Sequence, residues 1–245
     1  MCYEASLTKS AKHLEKATQV KFGEGVDYVP YFHASSYNFP NLYTVSNDQE
    51  SKTSSIQAME WGMVAPWGQN DIENYRKKHK NWNAKGETVL DLPTYAEAAR
   101  SRRCLILADG FIEPHYPGNQ FKGPVVPKYC YLPGNVLFYV AGLYNKDGHG
   151  GYNCSIVTVE ANPFFAAIHN KKRRMPLVLS EDFKSAWLDT SLNEDAILEI
   201  VYTGATKEEF QTHSIQNFYK RDFDTNTAEF LQPVSDPKGV QGSLF

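Results

Sequence analysis

Cys104-Leu105-Ile106-Leu107-Ala108-Asp109-Gly110-Phe111-Ile112-Glu113-Pro114 is the run on which the reading of this chain turns. Cys104–Ala108 is a short apolar stretch that ends at Asp-Gly, which reads as a buried strand closing in a turn. Working outward, comparable β-branched and aromatic runs occur at Leu42–Val45, Lys128–Leu132, Val136–Ala141, Ser155–Val159 and Leu177–Leu179, punctuated by Gly, Pro, Asn and Asp. Helical patterns are fewer and short. Thr8–Thr18 places Ala11, Leu14 and Thr18 on one face, and Thr94 with Glu97 spells a capping box before Ala98–Arg100. Asn162-Pro163 has cap and first-turn chemistry for a helix through Ile168 that delivers His169 at its end. Ser180 starts another helix through Trp187, and Leu192–Val201 is a further periodic segment closed near Gly204. Strands interspersed irregularly with short helices indicate an α+β fold rather than regular βαβ winding. No repeat or Pro/Gly-rich linker divides the 245 residues, so one domain is expected over 1–234, with a loose tail over 235–245.

Composition narrows the function classes. With 42% hydrophobic and 13% aromatic residues the chain can fill a sizeable core. A net charge of −3 gives no global positive field, so any nucleic-acid partner has to be met by a local patch. The start, MCYEASLTKS, lacks an apolar signal region, and the longest apolar stretch, Val136–Leu143, contains Gly142 and is too short to span a bilayer. A cytoplasmic protein without a membrane partner is expected. The four cysteines, Cys2, Cys104, Cys130 and Cys154, include no C-x-x-C pair and no cluster with histidine, so neither a metal nor another cofactor is expected. Cys104, Cys130 and Cys154 sit in strand-like runs, where cysteine behaves as a small buried hydrophobe.

Cys2 stands apart. Removal of Met1, which a small second side chain permits, leaves an α-amine beside a thiol. Such an aminothiol can form a Schiff base with an aldehyde and then close a thiazolidine ring. The amine titrates near ~7.7–8.0 and the thiol near ~8.5, so both are partly available at neutral pH. Glu113 lies in an apolar segment. Desolvation there raises a carboxyl toward the range useful for general acid and base work, while the plainer reading is an outward-facing glutamate on a half-buried strand. His169 sits beside Asn170-Lys171-Lys172-Arg173-Arg174, either as a proton shuttle near a polyanion or as a cation at a helix C-terminus. Asn83 and Lys85 follow the basic run Arg76–Lys80 and could orient a polar substrate and meet phosphates, the default being a solvated loop. Trp61 reads as core, and Trp67 as a ring that could stack on an unpaired base.

The order of these signals resembles the SOS response-associated peptidase family, abasic-site sensors that crosslink to DNA. The resemblance rests on Met1-Cys2, Trp61 to Trp67, Asn83 to Thr88, Arg103 to Glu113, Ala141-Gly142-Leu143, Thr158 to Asn162, His169 to Leu179 and Trp187-Leu188. It implies a monomeric, barrel-like α+β domain of mostly antiparallel sheets with a positive groove for single-stranded DNA, which is nucleoid-associated when bound. It implies that Cys2 is the nucleophile, Asn83 orients its amine, Glu113 assists ring opening and proton transfer, and His169 is the proton partner. Lys85 and Arg174 would hold phosphates and Trp67 would pack beside the lesion. Self-release of Met1 by a peptidase-like use of the same groups is also implied. Three departures stand out. Tyr3-Glu4 replaces the common Gly-Arg and sets a carboxylate near the amine, Lys85 replaces an arginine, and three extra residues separate His169 from Arg174-Met175-Pro176. Two other functions use the same residues: a Cys2-dependent amide hydrolase acting on another molecule, and a non-catalytic module that binds single-stranded DNA.

Overall fold

The Cys104–Glu113 run folds as two strands that meet at Asp109 and enter different sheets. In the computed structural model, residues 2–47, 53–118, 121, 124–219 and 223–236 are described. Met1 and most of the expected tail, 237–245, lie outside them. The chain runs β1 (Glu4–Leu7), α1 (Ala11–Thr18), β2 (Tyr31–Ser35), β3 (Asn41–Asn47), β4 (Ser54–Trp61), α2 (Ile72–Lys78), β5 (Asn83–Lys85), α3 (Ala96–Ser101) and β6 (Arg103–Ala108). It continues with β7 (Gly110–His115), β8 (Val126–Tyr131), β9 (Phe138–Lys146), β10 (Tyr152–Glu160), α4 (Pro163–Ile168), β11 (Arg174–Pro176), α5 (Glu181–Leu188), α6 (Glu194–Thr203) and β12 (Gln211–Ser214). This is the α+β class expected from the sequence.

The smaller sheet has the order β12-β8-β7-β1-β2, and the larger β11-β10-β4-β3-β6-β9 with β5 beside β10. Pairing is antiparallel except where β10 meets β4 and β5. Strand β10 also pairs with β9 over Tyr152↔Lys146 to Ile156↔Gly142, so the larger sheet curls back on itself. Its contact with β4 is confined to Asn153↔Glu60 and Cys154↔Trp61, and the smaller sheet stays open. The barrel-like, mostly antiparallel expectation holds in this form: the larger sheet curls round, the smaller sheet stays open, and there is no single closed barrel.

Asp109 and Gly110 explain the crossing. The Asp109 carboxylate accepts from Ser6 Oγ at 2.7 Å and from Thr8 N and Oγ1 at 2.7 and 2.5 Å, which fastens the N-terminal strand to the turn. A Cβ at Gly110 would meet the Tyr129 ring at 2.2 Å, so only glycine lets β7 lie this close to β8. Along β7 the side chains then alternate. Phe111 belongs to the main core and Ile112 to a second cluster with Tyr129, Ile215, Phe230 and Leu231, under the segment that follows β12. Glu113 shares the face of Phe111 and is fully buried.

Arg103, 4% exposed, opens β6. Its guanidinium donates to the carbonyls of Trp187 at 2.7 Å, Ala99 at 2.5 Å, Arg100 at 2.8 Å and Asp189, which caps the C-terminal ends of α3 and α5 at once. Local signals decide the other helices. Ser10, Asn162 and Asn193 accept from the backbone N–H three residues on, and Gly204 closes α6. The Thr94/Glu97 box is not made: α3 follows Tyr95 with no side-chain cap, because the preceding turn is held by backbone bonds from Tyr95 and Ala96 to Leu92. Helix α2, capped by Asp71, takes in much of the basic run, so Arg76–Lys78 line a helix rather than a loop.

Candidate active site

Four side chains from four separate parts of the chain meet at one end of the smaller sheet. The pairing of β1 with β7, Ala5↔Phe111 and Ser6↔Gly110, carries the N-terminus back toward Glu113. Strand β5 lies parallel to β10, with Ile156↔Asn83, and Asn83 Nδ2 donates to the Cys2 carbonyl at 2.9 Å. The other amide atom, Asn83 Oδ1, is buried and has no hydrogen-bond partner among the described residues. Neither Glu113 carboxyl oxygen makes a hydrogen bond there either, although His169 Nδ1 lies 3.3 Å from Oε2. Buried polar atoms are nearly always satisfied, so the open polar atoms of Asn83 and Glu113 near Cys2 mark a place able to receive a polar partner.

His169 reaches Glu113 because the turn after α4 is closed. Arg173, at φ 52°, donates its N–H to the His169 carbonyl at 2.9 Å, so the residues between them loop out. The turn is clamped to the end of β7 by Asn170, whose side chain bonds Tyr116 N and O at 3.2 and 2.7 Å, and by His115 Nδ1 with Ile168 O at 3.1 Å. His169 Nδ1 also lies 3.1 Å from the Arg174 carbonyl, an acceptor, so this nitrogen carries the proton.

Burial sets the charge states. Desolvation raises the Glu113 carboxyl to about 7, with the Glu4 carboxylate acting in the same direction. Desolvation also lowers His169 to about 4. The close contact between them is therefore one of neutral groups near pH 6, and the reading of His169 as a cation at a helix end does not hold. The Cys2 thiol, 1% exposed, is pushed well above its ordinary range, first by burial and then by Glu113. It is a thiol and not a thiolate at neutral pH.

The expected phosphate and base contacts are placed less uniformly. Lys85 is exposed and makes no ion pair among the described residues. Trp67 is 60% exposed, whereas Trp61 is core and donates to the Trp82 carbonyl at 2.9 Å. Arg174 is engaged: both terminal nitrogens hold the Glu87 carboxylate, at 2.7 and 2.8 Å, and one also reaches Thr158 O at 2.5 Å. Glu4 does not sit free beside the amine. It is paired with His33 at 2.8 Å, and His33 Nδ1 lies 2.7 Å from Thr225 Oγ1. Sequence reading missed Tyr3, Tyr37 and Trp82, which converge next to Cys2 with no signal beyond their being aromatic. It also missed Glu87, which no spacing ties to Arg174. Among the described residues no group of three His, Cys, Asp or Glu side chains could hold a metal ion, and no helix is long and apolar enough to cross a membrane.

A family model described as SOS response associated peptidase matches residues 1–219. The chain belongs to that family. Among relatives of this family, the abasic site processing protein YoaM of Bacillus subtilis is 32% identical over 206 residues, covering 80% of this chain and 84% of that one. The abasic site processing protein HMCES of Gallus gallus is 26% identical over 226 residues, covering 81% and 64%. A crystal structure of a Bacteroides thetaiotaomicron protein superposes with a TM-score of 0.79 at 22% identity over 96% of this chain and 100% of that one, which supports the fold.

Proposed function

We propose that this chain recognises abasic sites in single-stranded DNA and is captured there covalently, its Cys2 aminothiol closing a thiazolidine with the sugar aldehyde. The names of the relatives support the abasic-site part of this reading. What supports the rest is that Asn83 holds the Cys2 carbonyl and Glu113 lies near enough to act on the Cys2 thiol, while Asn83 Oδ1 and the Glu113 carboxyl make no hydrogen bond among the described residues.

The charge states dictate an order of events. Met1 leaves first, by the peptidase-like chemistry of the same groups or by an aminopeptidase, and frees the Cys2 amine. Asn83 Oδ1 accepts from that amine while Nδ2 holds the carbonyl, so the nitrogen lone pair is aimed. Glu113, protonated below about pH 7, gives its proton to the sugar ring oxygen as the hemiacetal opens and recovers one from the C1′ hydroxyl. The amine attacks C1′, because the buried thiol is a poor nucleophile at this stage. Glu113 then protonates the departing hydroxyl, water leaves and an iminium forms. The carboxylate so produced is stabilised by His169 Nδ1–H, and it takes the proton from Cys2 Sγ as sulfur adds to C1′. The ring closes with net loss of one water. Lys85 supplies a phosphate contact and Trp67 a stacking face. Arg174 serves a phosphate only by exchanging Glu87 for it.

Incubation with a single-stranded oligonucleotide carrying one abasic site, followed by denaturing electrophoresis, tests the reading. A band at the summed mass, absent in Cys2→Ala, is expected. Peptide turnover without such a band would instead assign an amide hydrolase, and salt-sensitive DNA binding indifferent to Cys2→Ala a non-covalent module.

A further inference from the structure

An aromatic surface beside Cys2 is not used by this chemistry. Tyr3 lies 5.6 Å from Trp82 and 5.8 Å from Tyr37 between ring centroids, and Tyr37 lies 4.7 Å from Trp82. Tyr3 follows Cys2 directly and Trp82 precedes Asn83, so the cluster is fixed to two site residues through the backbone. Its layers differ in exposure. Trp82 is 6% exposed and its buried Nε1–H has no acceptor among the described residues, whereas Tyr37 leaves 60% of its surface to solvent. The turn that presents Tyr37, residues 36–38, ends at Phe39 with φ 50°, a left-handed conformation that a bulky residue keeps only when its surroundings enforce it. A cation rims the surface: Lys80 Nζ is 5.6 Å from both the Phe39 and Trp82 ring centroids, whereas Arg76, 4.5 Å over Phe39, is held by the Glu60 carboxylate at 2.6 and 2.8 Å.

Rings backed by a buried indole and edged by the Lys80 ammonium group fit a nucleic-acid strand, which offers a flat base and a phosphate together. A strand whose sugar reaches Cys2 has a neighbouring base within this reach. We propose that Tyr37 and Tyr3 form a stacking subsite for the unpaired base adjacent to the abasic sugar. This rests on the abasic-DNA reading above. Because stacking area sets its strength, a purine at that flank is held more tightly than a pyrimidine.

The test uses the full chain and a single-stranded oligonucleotide with a tetrahydrofuran abasic analogue, which has no aldehyde, and 2-aminopurine on one flank or the other. Binding is expected to quench 2-aminopurine at one flank. Tyr37→Leu or Tyr3→Leu restores the emission and weakens affinity about 5- to 100-fold, the loss of one base–aromatic contact. Tyr37→Phe, which keeps the ring, retains the quenching and so separates stacking from misfolding. Unchanged quenching in Tyr37→Leu, or none at either flank in the parent, overturns the subsite. A normal covalent adduct with a true abasic oligonucleotide in that case leaves the abasic-DNA reading standing. No binding and no adduct overturn both.

Discussion

Replacing Glu113 by Gln is expected to stabilise the fold, and to do so only at the alkaline end of the pH range. The carboxyl titrates at about 7 in the folded chain against an ordinary 4.5, chiefly because it is desolvated. Below pH 4.5 both folded and unfolded states hold the proton and burial of a neutral acid costs little. Between 4.5 and 7 the unfolded chain releases its proton first, so stability falls as pH rises. Above 7 the folded chain must also ionise a buried group, and the loss levels off at about 3 kcal/mol. Gln fills the same volume with no charge and has no such slope. The difference between the two proteins should therefore grow from near zero at pH 4.5 to about 3 kcal/mol in favour of Gln at pH 8, or ~6–12 °C in Tm for a chain of this size. His169 has the opposite slope: its stability contribution is complete above pH 6.5 and lost as pH falls toward 4, and it is common to both proteins. Urea unfolding followed by fluorescence of the buried Trp61 and Trp187 between pH 4.5 and 8.5 provides the readout. An advantage for Gln that does not change with pH, or a Gln variant less stable at pH 8, would refute the assignment of Glu113 as a desolvated acid.

Three further outcomes are expected. The rate of adduct formation should follow a bell centred between pH ~7 and ~8, since the amine (~7.7–8.0) must lose its proton and Glu113, at about 7, keep its own. Single-turnover kinetics that climb steadily to pH 9 would contradict this. Asn83→Leu should slow adduct formation about 10²-fold with little change in Tm, because it removes the bond to the Cys2 carbonyl and the free acceptor. An equal loss in Asn83→Leu of Tm and rate would make Asn83 merely structural. Arg103→Met should destabilise the fold by about 3–5 kcal/mol, since four carbonyls lose a buried partner, and Arg103→Lys should restore only a fraction. Thermal unfolding of the two variants measures it.

Much of the site was legible because its parts lie where short signals are strong. Asp109-Gly110 marks the crossing between sheets, and Asn162-Pro163 fixes where α4 begins and hence where His169 ends it. The depth of Glu113 was not legible, because a carboxylate after a strand can face either way. Its burial follows from the register of β1 and β8 on β7. Strand β5 escaped notice because three residues carry no periodicity and its parallel pairing with β10 spans some seventy positions. Helix α2 was hidden by its own charges, since only Tyr75 of its seven residues is buried. The committed partner of Arg174 and the pairing of Glu4 with His33 are tertiary facts: each joins residues whose spacing in the chain carries no rule.

The central claim is that the nitrogen and sulfur of one residue both bind the sugar carbon. Digestion of the adduct with trypsin and nuclease, followed by tandem mass spectrometry, addresses it most directly. The account predicts a peptide of residues 2–9 that begins at Cys2, lacks Met1, carries the sugar remnant with loss of one water, and has no free thiol. A remnant on Lys85 or another lysine, or a residue 1–9 peptide that keeps Met1 in the adducted protein, would contradict it.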